Sequence, residues 1–157
     1  MQPRSTFERI WCPSSRGCSN LKPQLALIGV PSSAGGRRTG QEGAPAAFRA
    51  AGLLEQLRAE GLDVADLGDL PSVSFRPDPE HPRQQNLALV VDVARRTADR
   101  VDQALASRRV PLVLGGDCSL SLGVIAGLLR HQSRIGLLYF DGDVDLNTPE
   151  TTPDLPS

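Results

Sequence analysis

Short apolar runs alternate with longer segments of helical periodicity from residue 25 onward. This alternation is typical of a parallel β-sheet whose strands are joined by helices. Apolar residues at three- and four-residue steps predict helices over residues 44–60, from 86 to about 107, and over 119–130. The apolar runs predict four strands, at residues 25–30, 62–67, 111–114 and 135–140.

Several residues mark the ends of the predicted helices. Pro45 suits the first turn of the first helix, and Gly61 is expected to end it. Asn86 and Ser119 are residue types that cap helix N-termini, so they are predicted to begin the second and third helices. The buried face of the first helix is predicted to carry Phe48, Ala51, Leu54 and Leu57.

The segments between strands and helices are expected to meet at one edge of the sheet. Residues 71–85 contain four prolines, which prevent regular ladders, so they predict a long surface loop. Right-handed crossovers place the carboxyl ends of all parallel strands on the same side, where open α/β sheets bind ligands. The segments predicted to converge there are 31–43, 68–85, 115–119 and 141–157.

Composition excludes two classes of partner. The chain has 17 basic and 18 acidic residues and a net charge of -1, so it has no positive field to attract nucleic acid. Its longest apolar runs have about six residues, whereas a membrane helix needs roughly 20. We therefore expect neither nucleic-acid binding nor a membrane span.

Cysteine usage and the first residues bear on location and on domain limits. Three cysteines without a secretory signal are typical of a reducing compartment, so a cytoplasmic location is predicted. Residues 1–24 are predicted to be a disordered leader, whose arginines and serines are also a composition that mitochondrial presequences share. The folded domain is predicted to cover residues 25–152, with 153–157 as a tail.

Three aspartates follow the last predicted strand at alternate positions. In extended backbone Asp141, Asp143 and Asp145 share a face, so their carboxylates are predicted to project together. Such carboxylates repel one another unless a cation is bound, and hard oxygen donors favour a divalent metal ion. A calcium-binding EF-hand is excluded, because its sixth and twelfth positions hold Leu146 and Thr152 instead of glycine and glutamate.

Two glycine-rich segments are expected at the same edge. Residues 115–119, Gly-Gly-Asp-Cys-Ser, follow the third predicted strand, which places Asp117 and Cys118 near the aspartates as a metal ligand or its support. Residues 32–43 offer an alternative, an anion site built from backbone N–H groups. This segment lacks the Walker and Rossmann glycine spacings, so nucleotide binding is not predicted.

The motifs resemble those of the ureohydrolase family, which includes arginase, agmatinase and formiminoglutamase. The resemblance runs from about residue 25 to residue 152, and it is greatest to arginase. The motifs occur in the family's order: Ile28-Gly29-Val30-Pro31, Gly43-Ala44-Pro45, Arg49-Ala50-Ala51-Gly52-Leu53, Gly115-Gly116-Asp117-Cys118-Ser119, and Asp141-Gly142-Asp143-Val144-Asp145-Leu146-Asn147-Thr148-Pro149.

This resemblance implies a three-layer α/β/α fold with a mostly parallel sheet, cut short relative to the family. It also implies a site with two Mn2+ ions that hydrolyses carbon–nitrogen bonds of small guanidino or amidine compounds and releases urea. Carried over by position, the metal ligands are Cys118, Asp141, Asp143 and Asp145, and Asp143 also has a catalytic role. Asn147 matches a residue that binds the α-amino-acid end of the substrate. A homo-oligomer is implied as well.

The sequence departs from the family pattern in two ways. Cys118 and Asp143 stand where the family has histidines, and a soft thiolate favours Zn2+ or Fe2+ over Mn2+. The motif that supplies the family's remaining ligands, S-x-D-x-D-x-x-D-P, does not occur in the 157 residues. We therefore expect a hydrolase that is inactive or incomplete. The alternative is a non-catalytic, ureohydrolase-like protein whose open sheet edge binds another subunit.

Overall fold

A computed structural model describes residues 23–82 and 84–142 of the chain. A short 3-10 helix, Gln41–Gly43, lies between the first strand and the first helix. The three strands and four α-helices of the described residues follow one another in the order β1 (Gln24–Val30), α1 (Ala44–Ala50), α2 (Leu53–Ala59), β2 (Asp63–Asp69), α3 (Leu87–Ala106), β3 (Val110–Gly115) and α4 (Leu120–Leu129).

The three strands form one parallel sheet with β1 in the centre, in the order β2-β1-β3. Leu25 of β1 lies opposite Val64 on one side and Val110 on the other. A central strand of a parallel sheet is covered on both faces, and this is why β1 is a nearly continuous apolar run. From Ala26 to Val30 every residue of β1 is buried.

Helices cover both faces of the sheet, and this confirms the predicted three-layer α/β/α architecture. On one face Ala26, Ile28 and Val30 of β1 form a core cluster with residues of α3 such as Val101. On the other face Leu27 packs with neighbouring strands and with α2 residues. The alternation of side chains along β1 therefore divides its apolar residues between two helical layers.

Close packing between α3 and α4 depends on two glycines of α4. A Cβ atom added at Gly123 would lie 2.5 Å from the backbone oxygen of Ala94 in α3. A Cβ atom added at Gly127 would lie 2.7 Å from Cβ of Val101. The two helices therefore approach each other more closely than larger residues at these positions would allow.

The prediction of one helix over residues 44–60 is wrong. Gly52 adopts a left-handed backbone conformation with φ of 78°, and it separates α1 from α2. A left-handed residue ends the regular helical repeat, and glycine adopts it without steric cost. The predicted single apolar face is consequently broken, and the Phe48 side chain is half exposed.

The predicted fourth strand is also absent from the described residues. Residues 135–140 form neither a strand nor a helix. Leu138 is 92% exposed and Phe140 is fully exposed. A strand needs a neighbouring strand edge and an apolar cover as well as a suitable sequence, and the apolar pattern reports only the last of these. Within the described ranges, no helix combines the length and apolar character of a membrane span.

Neither predicted helix cap forms its side-chain hydrogen bond. Asn86 precedes α3 in a left-handed conformation with φ of 56°, and its side-chain amide donates to the carbonyl oxygen of Arg76 at 2.8 Å. The Ser119 hydroxyl precedes α4 but donates to the Asp117 carboxylate instead of accepting from the helix. Both side chains stabilise the preceding segments, which compete with the helix ends for the same polar groups.

Candidate functional site

The segments that follow the three strands meet at one edge of the sheet, which we term the carboxyl edge (residues 31–43, 70–86 and 116–119). The Ser33 N–H donates to the carbonyl oxygen of Val73 at 2.9 Å, and the Val73 N–H donates to that of Pro31 at 2.9 Å. The Asp117 N–H donates to the carbonyl oxygen of Ser32 at 3.0 Å. The predicted convergence is therefore confirmed for the segments that follow β1, β2 and β3, whereas Asp141 of the fourth predicted segment hydrogen-bonds, among the described residues, to its neighbours Tyr139 and Gly142.

Asp117 is the most buried acidic residue of this edge, with 4% of its surface exposed. One carboxylate oxygen, Oδ2, accepts from the Ser32 hydroxyl at 3.1 Å and from the Gly35 N–H at 3.3 Å. The other oxygen, Oδ1, accepts from the Ser119 N–H at 3.0 Å and from the Ser119 hydroxyl. The side chain thus joins the segment after β1 to the segment after β3.

Glycines allow these two segments to approach closely. A Cβ atom added at Gly116 would lie 1.9 Å from the carbonyl oxygen of Ser32. A Cβ atom added at Gly35 would lie 2.7 Å from the Ser119 hydroxyl oxygen and 3.0 Å from Oδ1 of Asp117. The glycines that the sequence assigns to turns are therefore also needed for contact between segments.

A second carboxylate organises the far end of the segment after β1. Glu42 accepts a hydrogen bond from the Gly40 N–H at 2.7 Å and one from the Ser74 hydroxyl at 3.0 Å. Hydrogen bonding from Ser33, and then from backbone N–H groups of Glu42 and Gly40, lowers the pKa of Glu42 to about 2. The Gly35 and Gly40 N–H groups are thus bound to the protein's own carboxylates, and this removes two donors from the alternative anion site.

Two of the four predicted metal ligands lie in the described residues, and both are exposed. Cys118 lies between Asp117 and Ser119 at the start of α4. Asp141 accepts from the Tyr139 hydroxyl at 3.2 Å and from the Gly142 N–H at 2.6 Å. These two residues alone provide one soft donor and one hard donor, which is an incomplete set for either Mn2+ or Zn2+.

The remaining predicted site residues lie outside the residues that the structure describes. They are Asp143, Asp145 and the substrate-binding Asn147. Among residues 23–82 and 84–142, no three histidine, cysteine, aspartate or glutamate side chains lie close enough together to hold a metal ion. The metal site therefore stays a prediction.

Sequence reasoning missed the main organising contact of this edge. Ser32 and Asp117 are 85 residues apart, and no local pattern links a serine after one strand with an aspartate after another. One sequence feature could have indicated this contact: Asp117 directly follows two glycines at the end of a strand. A residue at such a position is buried when another segment packs against it.

Comparisons with known proteins show which proteins this chain is similar to. The model of the arginase family matches residues 23–157. An arginase of Bacillus caldovelox is 38% identical over 135 residues, which are 85% of this chain and 45% of the relative. Human arginase-1 is 38% identical over 128 residues, which are 82% of this chain and 40% of the relative.

A crystal structure of arginase from Bacillus subtilis has the same fold over the matching part. The TM-score is 0.72 at 35% sequence identity, and the match covers 84% of this chain and 43% of that chain. The chain therefore spans less than half the length of the relatives that it matches.

Proposed function

Because this chain belongs to the arginase family, we propose that it supplies the first part of a metal-dependent site for hydrolysing carbon–nitrogen bonds of guanidino or amidine compounds. The observation that carries the proposal is the contact between the segments after β1 and β3, made through Asp117 at the carboxyl edge. Open α/β sheets bind ligands at this edge. A cytoplasmic location belongs to the same proposal.

The predicted site residues divide into metal ligands and a substrate-binding residue in this proposal. Cys118, Asp141, Asp143 and Asp145 are the metal ligands, and Asn147 binds the α-amino-acid end of the substrate. These ligands would hold two divalent ions, whose chemistry would be to activate water as the nucleophile near neutral pH. Asp143 also has a catalytic role, because its carboxylate contributes negative charge at the reacting centre. The Cys118 thiolate favours Zn2+ or Fe2+ over the Mn2+ of the family.

The 157-residue chain is proposed to have no appreciable hydrolase activity by itself. Two divalent ions would activate water for this hydrolysis only if both had enough protein ligands, and the 157 residues lack the S-x-D-x-D-x-x-D-P motif that would complete the set. The test is release of urea from arginine by the purified chain with Mn2+, Zn2+ or Fe2+, with the Bacillus caldovelox arginase as the positive control. We expect no release above the blank, and turnover comparable with the control would contradict the proposal.

A second candidate function is non-catalytic self-association, and exposed apolar side chains favour it. Leu137 is 67% exposed, Leu138 is 92% exposed, and Phe140 is fully exposed in the segment after α4. On α4 itself, Leu122 and Leu129 are 63% and 50% exposed. Exposed apolar groups of this size mark surfaces that another protein covers, and we propose a second copy of this chain as the partner.

Light scattering across a dilution series tests the self-association. We expect a dimer that dissociates on dilution and that the double variant Leu138→Asp, Phe140→Asp makes monomeric. Ser133→Asp is the matched control, because it adds a charge at an exposed polar position of the same segment. A chain that is monomeric at all concentrations, or a double variant that associates as the wild type does, would contradict this candidate.

A further inference from the structure

We infer that Asp117 is a positioning residue, which holds the first part of the segment after β1 (residues 31–36) and the segment after β3 (residues 116–119) together as one unit. The inference rests on the proposed function only in that it treats these segments as part of the site. Its physical basis is the set of hydrogen bonds that a single buried carboxylate makes to both segments.

The hydrogen bonds of Asp117 account for its whole acceptor capacity. An ionised carboxylate has about four lone-pair positions, two on each oxygen. Four donors fill them, namely the Ser32 hydroxyl, the Gly35 N–H, the Ser119 N–H and the Ser119 hydroxyl. Because no position is left over, Asp117 is unsuited to be a metal ligand, although it directly precedes a predicted one.

The two carboxylate oxygens of Asp117 accept hydrogen bonds from different segments. Among the described residues, Oδ2 binds the segment after β1, through Ser32 and Gly35. In the same part of the chain, Oδ1 binds the segment after β3, through Ser119. The bond to the Ser119 N–H spans Cys118, so it fixes the backbone of Cys118 on the same carboxylate that holds Ser32.

Backbone contacts keep the two segments at a fixed separation. The Asp117 N–H donates to the carbonyl oxygen of Ser32, and a Cβ atom at Gly116 would lie 1.9 Å from that oxygen. At Gly35 a Cβ atom would contact both Asp117 and Ser119. A methyl group at Gly35 should therefore separate the segments without removing any hydrogen-bonding side chain.

Asp117→Asn is the informative substitution, because it keeps the size of the side chain and removes half of its acceptors. The amide NH2 group of asparagine cannot accept from a backbone N–H, so one of the two segments must lose its bond. We expect amide hydrogen exchange at Gly35 or Ser119 to accelerate about tenfold, since one buried hydrogen bond is lost. Amides within β1 should change by less than about twofold, because they open only with the whole domain.

The rate at which the Cys118 thiol is modified provides a second measurement of how the substitution affects these segments. The measurement uses a background with Cys12→Ser and Cys18→Ser, so that only Cys118 reacts with a neutral thiol reagent. We expect both Asp117→Asn and Gly35→Ala to change its rate of modification by about threefold or more, because each frees the Cys118 backbone. Asp92→Asn is the matched control, since it removes one carboxylate on the exposed face of α3.

The outcomes separate positioning from a contribution to overall stability. Faster exchange at Gly35 or Ser119 alone, with altered Cys118 reactivity, supports the inference. Equal acceleration in β1, or no change at any of these positions, overturns it. If Asp117→Asn does not fold, Ser32→Ala decides by the same measurements, because it removes one donor and keeps the carboxylate. None of these measurements needs a metal or turnover, so a failed urea or metal test leaves their result intact.

Discussion

Arg49 of α1 and Asp66 of β2 form an ion pair with two hydrogen bonds. Nε of Arg49 donates to Oδ2 of Asp66 at 3.0 Å, and Nη2 donates to Oδ1 at 2.9 Å. The third nitrogen, Nη1, donates to Asp69. Gly29 leaves space for the Asp69 carboxylate, because a Cβ atom at Gly29 would lie 1.7 Å from Oδ1 of Asp69. The pair attaches α1 to the carboxyl end of β2.

Replacing Arg49 should destabilise the fold more than replacing a comparable exposed arginine. Arg49→Ala removes the two hydrogen bonds between the Arg49 and Asp66 side chains, which are 22% and 27% exposed. The substitution also leaves Asp66 and Asp69 without the cation that they share. We expect a loss of about 1.5 kcal/mol in the free energy of unfolding, measured with urea. Arg96→Ala is the control, because its pair with Asp92 is 48% exposed on both sides and should contribute at most about 0.5 kcal/mol. Equal losses in the two variants would refute this account of Arg49.

The ion pair between Arg49 and Asp66 should make the free energy of unfolding depend on pH. Hydrogen bonding to Arg49 lowers the pKa of Asp66 below its ordinary value of 3.8. A lowered carboxyl pKa stabilises the fold fully above the ordinary value, and this stabilisation disappears as the pH falls through the folded-state pKa. Unfolding measured between pH 5 and about pH 2 should therefore show a smaller acid-dependent loss in Arg49→Ala than in wild type. An identical pH profile for the two proteins would argue against the ion pair.

Glu42 should titrate well below an ordinary glutamate. Hydrogen bonding from Ser33, and then from the backbone of Glu42 and Gly40, lowers its pKa from 4.5 to about 2. The hydrogen bonds that Glu42 accepts from Gly40 and Ser74 should consequently persist above pH 4.5 and be lost as the pH falls through about 2. Carboxyl carbon shifts followed by NMR should give a midpoint near 2, and Ser74→Ala should raise it. A midpoint near 4.5 in the wild type would show that these bonds do not form in solution.

Gly123→Ala tests the close approach of α3 and α4. Alanine favours a helix over glycine by up to about 1 kcal/mol, so propensity alone predicts stabilisation. The added Cβ atom would lie 2.5 Å from a backbone oxygen, however, and overpacking of this kind costs about 1–3 kcal/mol. We expect the steric effect to dominate and the midpoint of thermal unfolding to fall. Gly136→Ala is the control, because its Cβ atom has no neighbour within 4 Å; a more stable Gly123→Ala protein would contradict the packing.

The sequence predicted those parts of the fold that a continuous local pattern encodes. The apolar run of β1 places its strand within one residue of the observed Gln24–Val30. The regular apolar spacing of α3 likewise predicts the observed Leu87–Ala106 closely. In both elements the burial of one continuous face or run decides the structure, so composition and period are sufficient.

Features that depend on a single residue or on a distant partner were not predictable in the same way. Gly52 divides a segment whose apolar spacing continues on both sides, and its left-handed conformation has no periodic signal. Leu138 and Phe140 belong to an apolar run that fits a strand, yet they are exposed because no described strand pairs with them. The bond between Ser32 and Asp117 depends on how two segments meet after folding.

Calorimetric titration of the intact chain with Mn2+ and Zn2+ tests the central claim most directly. We expect the chain to bind a divalent ion, with Zn2+ preferred because of the Cys118 thiolate. Asp143→Ala should weaken that binding at least about tenfold, whereas Asp92→Ala, on an exposed face of α3, should leave it unchanged. The absence of binding by either ion, or equal affinity in wild type and Asp143→Ala, would contradict the claim that this chain holds part of a ureohydrolase metal site.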